Sequence, residues 1–257
     1  MGASDLPFSM SPLDAAALIW FALAWGGYNL VIDRILARTG GLNSQMQLIR
    51  ESWMRQMFAR DDRVGDAILL GQLIQSVSFF ASATMLLIAA LVGVLATVGS
   101  AYETFMGLDM IVETPRPVFE LKLMLLTAIF VFAFFKFTWA IRQYNYCSAM
   151  IGASPATSAP EDVRLRLADH AAAVLSLGVT TFNGGLRAYY FALAALAWLA
   201  HPLAFIAMTA WMAAILVFRQ FRSRAYDAIK GGGHMMAAES VRAAADKSGA
   251  NRHYLET

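Results

Sequence analysis

Residues 66–98 read DAILLGQLIQSVSFFASATMLLIAALVGVLATV. After Asp66 the stretch carries no charge, and it far exceeds the ~20 residues that an α-helix needs to cross a hydrocarbon core. A core helix of a small soluble domain is neither so long nor so uniformly apolar. Within the stretch, Gln72, Gln75, Ser76, Phe79, Ser82, Ala83 and Leu86 recur at three- and four-residue steps and so share one helical face. Lipid favours Leu and Ile, whereas a face of small and polar side chains meets protein or water. The stretch predicts a transmembrane helix with one polar stripe.

The remainder of the chain agrees with a membrane setting. Of 257 residues, 58% are hydrophobic and 15% charged, and the mean hydropathy of +0.53 excludes the ordinary soluble globular class. A net charge of +2 makes no case for a nucleic-acid partner. With Cys147 alone, there is neither an internal disulfide nor a cysteine-based metal site. His170, His201, His234 and His253 lack metal-ligand spacing, and no cofactor is expected. The opening residues have no basic segment or cleavage site, so the first apolar run, residues 12–32, is expected to stay as a span. Gly26, Gly27 and Asn29 near its end predict either close helix contact or a polar cavity.

Residues 33–65 hold six arginines (Arg34, Arg38, Arg50, Arg55, Arg60, Arg63). Between Leu42 and Phe58, the residues Leu42, Met46, Ile49, Trp53 and Met57 fall on one helical face, with Arg50 and Arg55 mostly elsewhere. That pattern predicts an amphipathic helix at an anionic surface or under the helical core. The segment 99–117 reads as an acidic loop, and 118–141 as an aromatic-rich span with Lys122 and Lys136 near its ends and Arg142 just beyond. The Lys136 ammonium, about 9 Å along the helix from Arg142, is expected to snorkel to the headgroups, with a buried functional role as the alternative. A second amphipathic helix starts at Ser158-Ala159-Pro160-Glu161 and is expected to run to about Thr181, where Asn183-Gly184-Gly185 breaks it. Leu186 to Phe218 is interrupted by His201-Pro202, giving either one kinked span or a hairpin of two short ones. The six arginines of 33–65 and the seven basic residues from Arg219 onward belong on one side of the membrane, the cytoplasm, which requires an even number of crossings between them and favours the hairpin.

Several stretches, in order, resemble a family of bacterial and plant integral membrane proteins known as the five-hundred-and-ninety-ninth domain of unknown function. They are GYN at Gly27–Asn29, RESWMRQM at Arg50–Met57, SFFASATMLLIAALVG at Ser78–Gly93, LKLMLLTAIFVFAFF at Leu121–Phe135, IRQYN at Ile141–Asn145, and RAYYFALAALAW before His201-Pro202. The resemblance covers about residues 12–222 and implies a multi-span membrane fold. It carries no activity and no residue roles.

No phosphate-cradling glycine loop, nucleophile elbow or HExxH motif is present, and Asp61-Asp62 sits in a basic loop where a solvated turn outweighs acid–base work. No enzyme is expected. The sequence thus predicts an all-α polytopic protein of the bacterial inner membrane with about five transmembrane helices and two cytoplasmic amphipathic helices. Residues 1–222 form the transmembrane domain and 223–257 a flexible cytoplasmic tail hinged at Gly231-Gly232-Gly233; the N-terminus lies outside. Two functions stand. One is an oligomeric channel or transporter subunit whose second span lines a hydrated path through Gln72, Gln75, Ser76, Phe79 and Ser82; the other is an accessory or scaffold subunit of a larger membrane complex, in which the same stripe is helix-packing glue. Arg50, Trp53, Lys136 and Arg142 are the expected membrane anchors. The expected partners are the lipid bilayer and further copies of the chain or a larger complex.

Overall fold

Two helices of unusual length carry the architecture in the computed structural model. The structure describes residues 10–30, 42–108 and 112–221, with Ile229, Gly231 and Gly232 of the tail. The seven helices of the first three stretches are α1 (Pro12–Leu30), α2 (Leu42–Phe58), α3 (Val64–Ala96), α4 (Val98–Met106), α5 (Arg116–Gly152), α6 (Glu161–Ala200) and α7 (Pro202–Phe221). At 1.5 Å per residue, the 37 residues of α5 and 40 of α6 extend about 55 and 60 Å, roughly twice a hydrocarbon core. They pack along each other as a central pair. The α3 helix lies on α5, α2 covers the first half of α6, and α7 folds back along its second half with α1 beside it.

Local chemistry explains the ends. Ser11 precedes Pro12 of α1, and its hydroxyl accepts the Asp14 N–H (3.1 Å) and donates to the Asp14 carboxylate (2.6 Å). Pro160 stands before α6, with Glu161 and Asp162 in the first turn against the helix dipole. Pro202 forces its predecessor out of the helical region, so His201 is extended (φ −157°, ψ 137°) and α6 stops at Ala200. The His201 Nδ1 then accepts the Leu203 N–H and caps α7. Trp198 stacks on Phe205 across this turn (5.0 Å), and Arg219 donates to the Tyr190 hydroxyl farther along, so α6 and α7 form a hairpin and not one kinked span.

Three expectations are corrected. Asn183-Gly184-Gly185 does not end a helix; α6 runs through it. The glycines cost helix propensity of about 1 kcal/mol each, but they allow α5 to come close. A Cβ at Gly178 would stand 2.5 Å from Cε1 of Tyr144, and one at Gly185 would run into the Phe137 ring, with Cδ1 at 2.8 Å. The acidic loop contains a helix, α4, set off from α3 at Thr97, and its Tyr102 hydroxyl donates to the Thr114 carbonyl (2.7 Å). Among the described residues, three helices rather than five are long and apolar enough to cross a membrane: Val64–Ala96, Arg116–Gly152 and Pro202–Arg219. Asp14 and the Gly-Gly-Tyr-Asn end dilute α1, and the apolar half of α6 is continuous with a charged half. Ile229, Gly231 and Gly232 are helical, and the other residues of the expected hinge and tail lie outside the described ones.

The exposed apolar side chains mark the membrane-type half. Ile19, Leu23, Met85, Leu86, Phe135, Leu193, Leu203 and Trp211 point outward around α1, α3, α5, α6 and α7, while the aromatic core of Phe21, Phe137, Phe191, Trp198 and Phe205 is fully or almost fully buried. Outward apolar residues on so many helices form the girdle that a bilayer requires and water penalises.

Candidate functional site

The α3 helix turns Asp66, Leu70, Val77, Ala81 and Thr84 inward, and this register sends the polar stripe the other way. Gln72, Gln75, Ser76, Phe79 and Ser82 are all exposed, Phe79 by 68%. The side-chain amides of Gln72 and Gln75 have no hydrogen-bond partner among the described residues, and the Ser76 hydroxyl returns to the Gln72 carbonyl (2.9 Å). Gln72, Gln75, Ser76, Phe79 and Phe80 line an open recess of about 490 Å³. Among the described residues, the stripe packs against no other helix of the chain.

At the α2 end, charges are tied to the protein. Asp66, buried in the first turn of α3, accepts the Trp53 indole N–H (2.7 Å) and both carboxylate oxygens take the Arg60 guanidinium (2.7 and 2.8 Å). Arg63 donates to the Ser154 hydroxyl and the Pro155 carbonyl, and Arg164 to the Phe58 carbonyl (3.1 Å). Arg55 pairs with Asp169 at 2.8 Å; the hydrogen bond that it donates to that carboxylate raises its already high pKa. Arg50 is buried and donates to Ser176 of α6 (2.9 Å). Burial pulls its guanidinium below the ordinary value, with partial compensation from Tyr144 and Glu51. The buried face of α2 is thus Arg50, Met54, Met57 and Phe58, rotated from the expected one, and Arg50 and Trp53 face α6 and α3 rather than outward. The side chain of Leu42 lies outside the described residues.

Lys136 and Arg142 behave differently. Each is set over an aromatic ring, Lys136 Nζ over Phe132 at 5.4 Å and Arg142 Cζ over Trp139 at 5.9 Å, and neither has a carboxylate partner among the described residues. Lys136 follows Arg116 by twenty residues, about 30 Å along α5, which is one hydrocarbon thickness from the start of that helix.

At the opposite end lies a polar cluster that sequence reasoning did not assemble. Asp14 of α1 accepts the Trp198 indole N–H (2.8 Å) and faces Lys122 of α5 at 3.8 Å. The Lys122 ammonium also reaches the Thr114 hydroxyl (3.4 Å) and lies 5.6 Å from the Trp198 ring centre. Asp14, Lys122, Thr114 and Trp198 are all buried. Asp14 and Lys122 are visible singly as charges close to helix starts; what a sequence omits is that α6 carries Trp198 to the same end. Without that anchor Lys122 reads only as a charge near one end of a span. Among the described residues, no three His, Cys, Asp or Glu side chains gather as metal ligands.

Long apolar helices, an outward apolar girdle and charges collected at the two ends define an all-α polytopic fold of membrane type. Comparison with known families narrows the class. The chain belongs to DUF599, described as a protein of unknown function, whose model matches residues 16–225. No curated protein and no solved structure matches the chain.

Proposed function

We propose that this protein is a homo-oligomeric channel or transporter subunit of the bacterial inner membrane, without enzymatic activity, in which α3 faces the assembly axis. The observation that carries the proposal is the outward exposure of Gln72, Gln75, Ser76 and Ser82 on a helix long and apolar enough to span. Phe80 packs on Phe137 beside Lys136, so Gln72, Gln75 and Ser76 stand at the mouth of the span and Ser82 deeper. A polar side chain carried into lipid without a partner is costly, and a second copy or water removes that cost. Around a symmetry axis, repeated polar faces leave a hydrated path, and Phe79 supplies an apolar constriction of the kind that gates by excluding water. The arginine-rich α2 end supports a cytoplasmic position for α2 and the C-terminus, with Asp14 near the outer face.

Cysteine labelling tests this. With the buried Cys147 replaced by Ala, Gln72→Cys, Gln75→Cys and Ser82→Cys should react with a membrane-impermeant thiol reagent in the assembled protein, and Leu87→Cys should not. Phe79→Ala should raise ion leak from liposomes. Ser82 decides, because it lies deepest; an unlabelled Ser82→Cys in a folded oligomer sinks the path.

A second proposal, an accessory or scaffold subunit, draws on the other half. Leu48, Ile68, Leu69 and Leu165 are exposed at the α2 end, away from the girdle, where a partner could cover them. Co-purification of one stoichiometric partner, lost on Leu48→Glu, would favour it.

A further inference from the structure

An apolar groove of about 410 Å³ runs between α1 and α5. Trp25, Leu125 and Phe132 form its walls, Gly26 its open floor and Asn29 its polar end. The rings of Trp25 and Phe132 meet edge to face, with their centres 5.6 Å apart. One turn beyond Phe132 stands Lys136, its ammonium over the Phe132 ring and without a carboxylate or hydrogen-bond partner among the described residues. A second cation converges there: a Cβ at Gly184 would be 3.6 Å from both Nη2 of Arg187 and Cδ of Lys136. Gly26 is not a helix-contact glycine, since a Cβ on it would meet nothing within 4 Å.

We propose that this groove is a binding site for an anionic phospholipid, one acyl chain lying between α1 and α5 and the phosphate held by Lys136 with Asn29. Three observations join in it. The groove is apolar, as an acyl chain requires, and opens to the girdle from which lipid arrives. One turn past its Phe132 wall stands a cation, Lys136, that no acidic side chain of the described residues neutralises, and a phosphodiester reaching from the groove supplies the missing charge. The depth is right, because Lys136 lies about one hydrocarbon thickness along α5 from Arg116, at the level of the headgroups. A zwitterionic headgroup offers the same phosphate but brings its own cation, so Lys136 gains less from it. This inference stands apart from the α3 path and does not depend on it.

The test uses the full chain purified in dodecyl maltoside micelles doped with phosphatidylglycerol or with phosphatidylcholine of the same acyl chains. Phosphatidylglycerol should raise the melting midpoint progressively with concentration, as a ligand of the folded state does, and more than phosphatidylcholine. Lys136→Ala should abolish the difference between the two lipids, and Lys136→Arg should keep it. Gly26→Leu fills the groove at a position with room for a side chain; it should melt as the parent does without lipid and lose the phosphatidylglycerol shift. Glycerol phosphate, which has the charge but no chains, should give no shift. Equal shifts from both lipids, a preserved difference in Lys136→Ala, a preserved shift in Gly26→Leu, or a full shift from glycerol phosphate would each overturn the site.

Discussion

The two ends of the α5–α6 pair solve the problem of charge in opposite ways. At the α2 end, Arg55, Arg60, Arg63 and Arg164 reach carboxylates, hydroxyls and backbone carbonyls across short distances, and the guanidinium groups of Arg55 and Arg60 remain about half exposed. Water shares the solvation of Arg55, Asp169 and Arg60 there, so the exposed pair Arg55–Asp169 is dispensable, while the buried Asp66 and Arg50 each have protein partners in Trp53, Arg60 and Ser176. At the other end one pair, Asp14 and Lys122, is closed off from solvent, with side-chain exposures of 9% and 2%, and the protein alone must satisfy it. Trp198, Thr114 and Ser11 supply the remaining partners. The contrast teaches that the number of ion pairs says little about their weight. Access to water decides it.

The largest expected effect therefore comes from breaking the closed pair. Lys122→Met leaves the Asp14 carboxylate buried without its cation, and a buried pair halved in this way typically costs about 3–5 kcal/mol. The melting midpoint in detergent should fall sharply, and Asp14→Asn combined with Lys122→Met should recover most of the loss. A single variant as stable as the parent would mean that water reaches this end after all, and the comparison would collapse.

The spine that joins the ends gives a smaller effect. Gly178 meets Tyr144 in the half covered by α2, and Gly185 meets Phe137 toward the girdle. Alanine at either position forces ring and backbone apart, at a cost of about 1–3 kcal/mol that outweighs its better helix propensity. Gly26→Ala, with open space around it, should cost nothing. If both variants shift one and the same transition, the two halves melt as one body; if each shifts only one of two transitions, they are separate cooperative units, which melting followed by tryptophan fluorescence and circular dichroism would reveal.

Helix positions were legible because their signals are local. The span between Asp66 and Val98, the α2 limits at Leu42 and Phe58, and the turn at His201-Pro202 all follow from apolar length, caps and proline. The misread places are those where a distant partner decides. Asn183-Gly184-Gly185 looks like a helix end until α5 is laid against it. Arg50 reads as a membrane anchor until Ser176 is found beneath α2, and nothing in the neighbourhood of Lys122 announces Asp14 or Trp198. The α3 stripe was visible as a stripe, but which side of the helix it occupied depended on where α5 packed.

The smallest expected effect sharpens the contrast by adding salt. Arg55 and Asp169 form a well-made pair at 2.8 Å between α2 and α6, yet their side chains are 46% and 48% exposed. In water the Coulomb gain is modest, and holding two long side chains together offsets part of it, so Arg55→Ala should cost only about 0.2–1 kcal/mol. The two mobile charges also see the ionic atmosphere. At roughly 1 M salt the screening length falls to about 3 Å, close to the separation of the pair, and parent and Arg55→Ala should then melt together. The deficit of Lys122→Met should persist in the same salt, because ions cannot enter where water does not. Melting curves of the parent and both variants at low and high salt read this directly. Equal salt responses in the two variants would show that the ends share one dielectric environment.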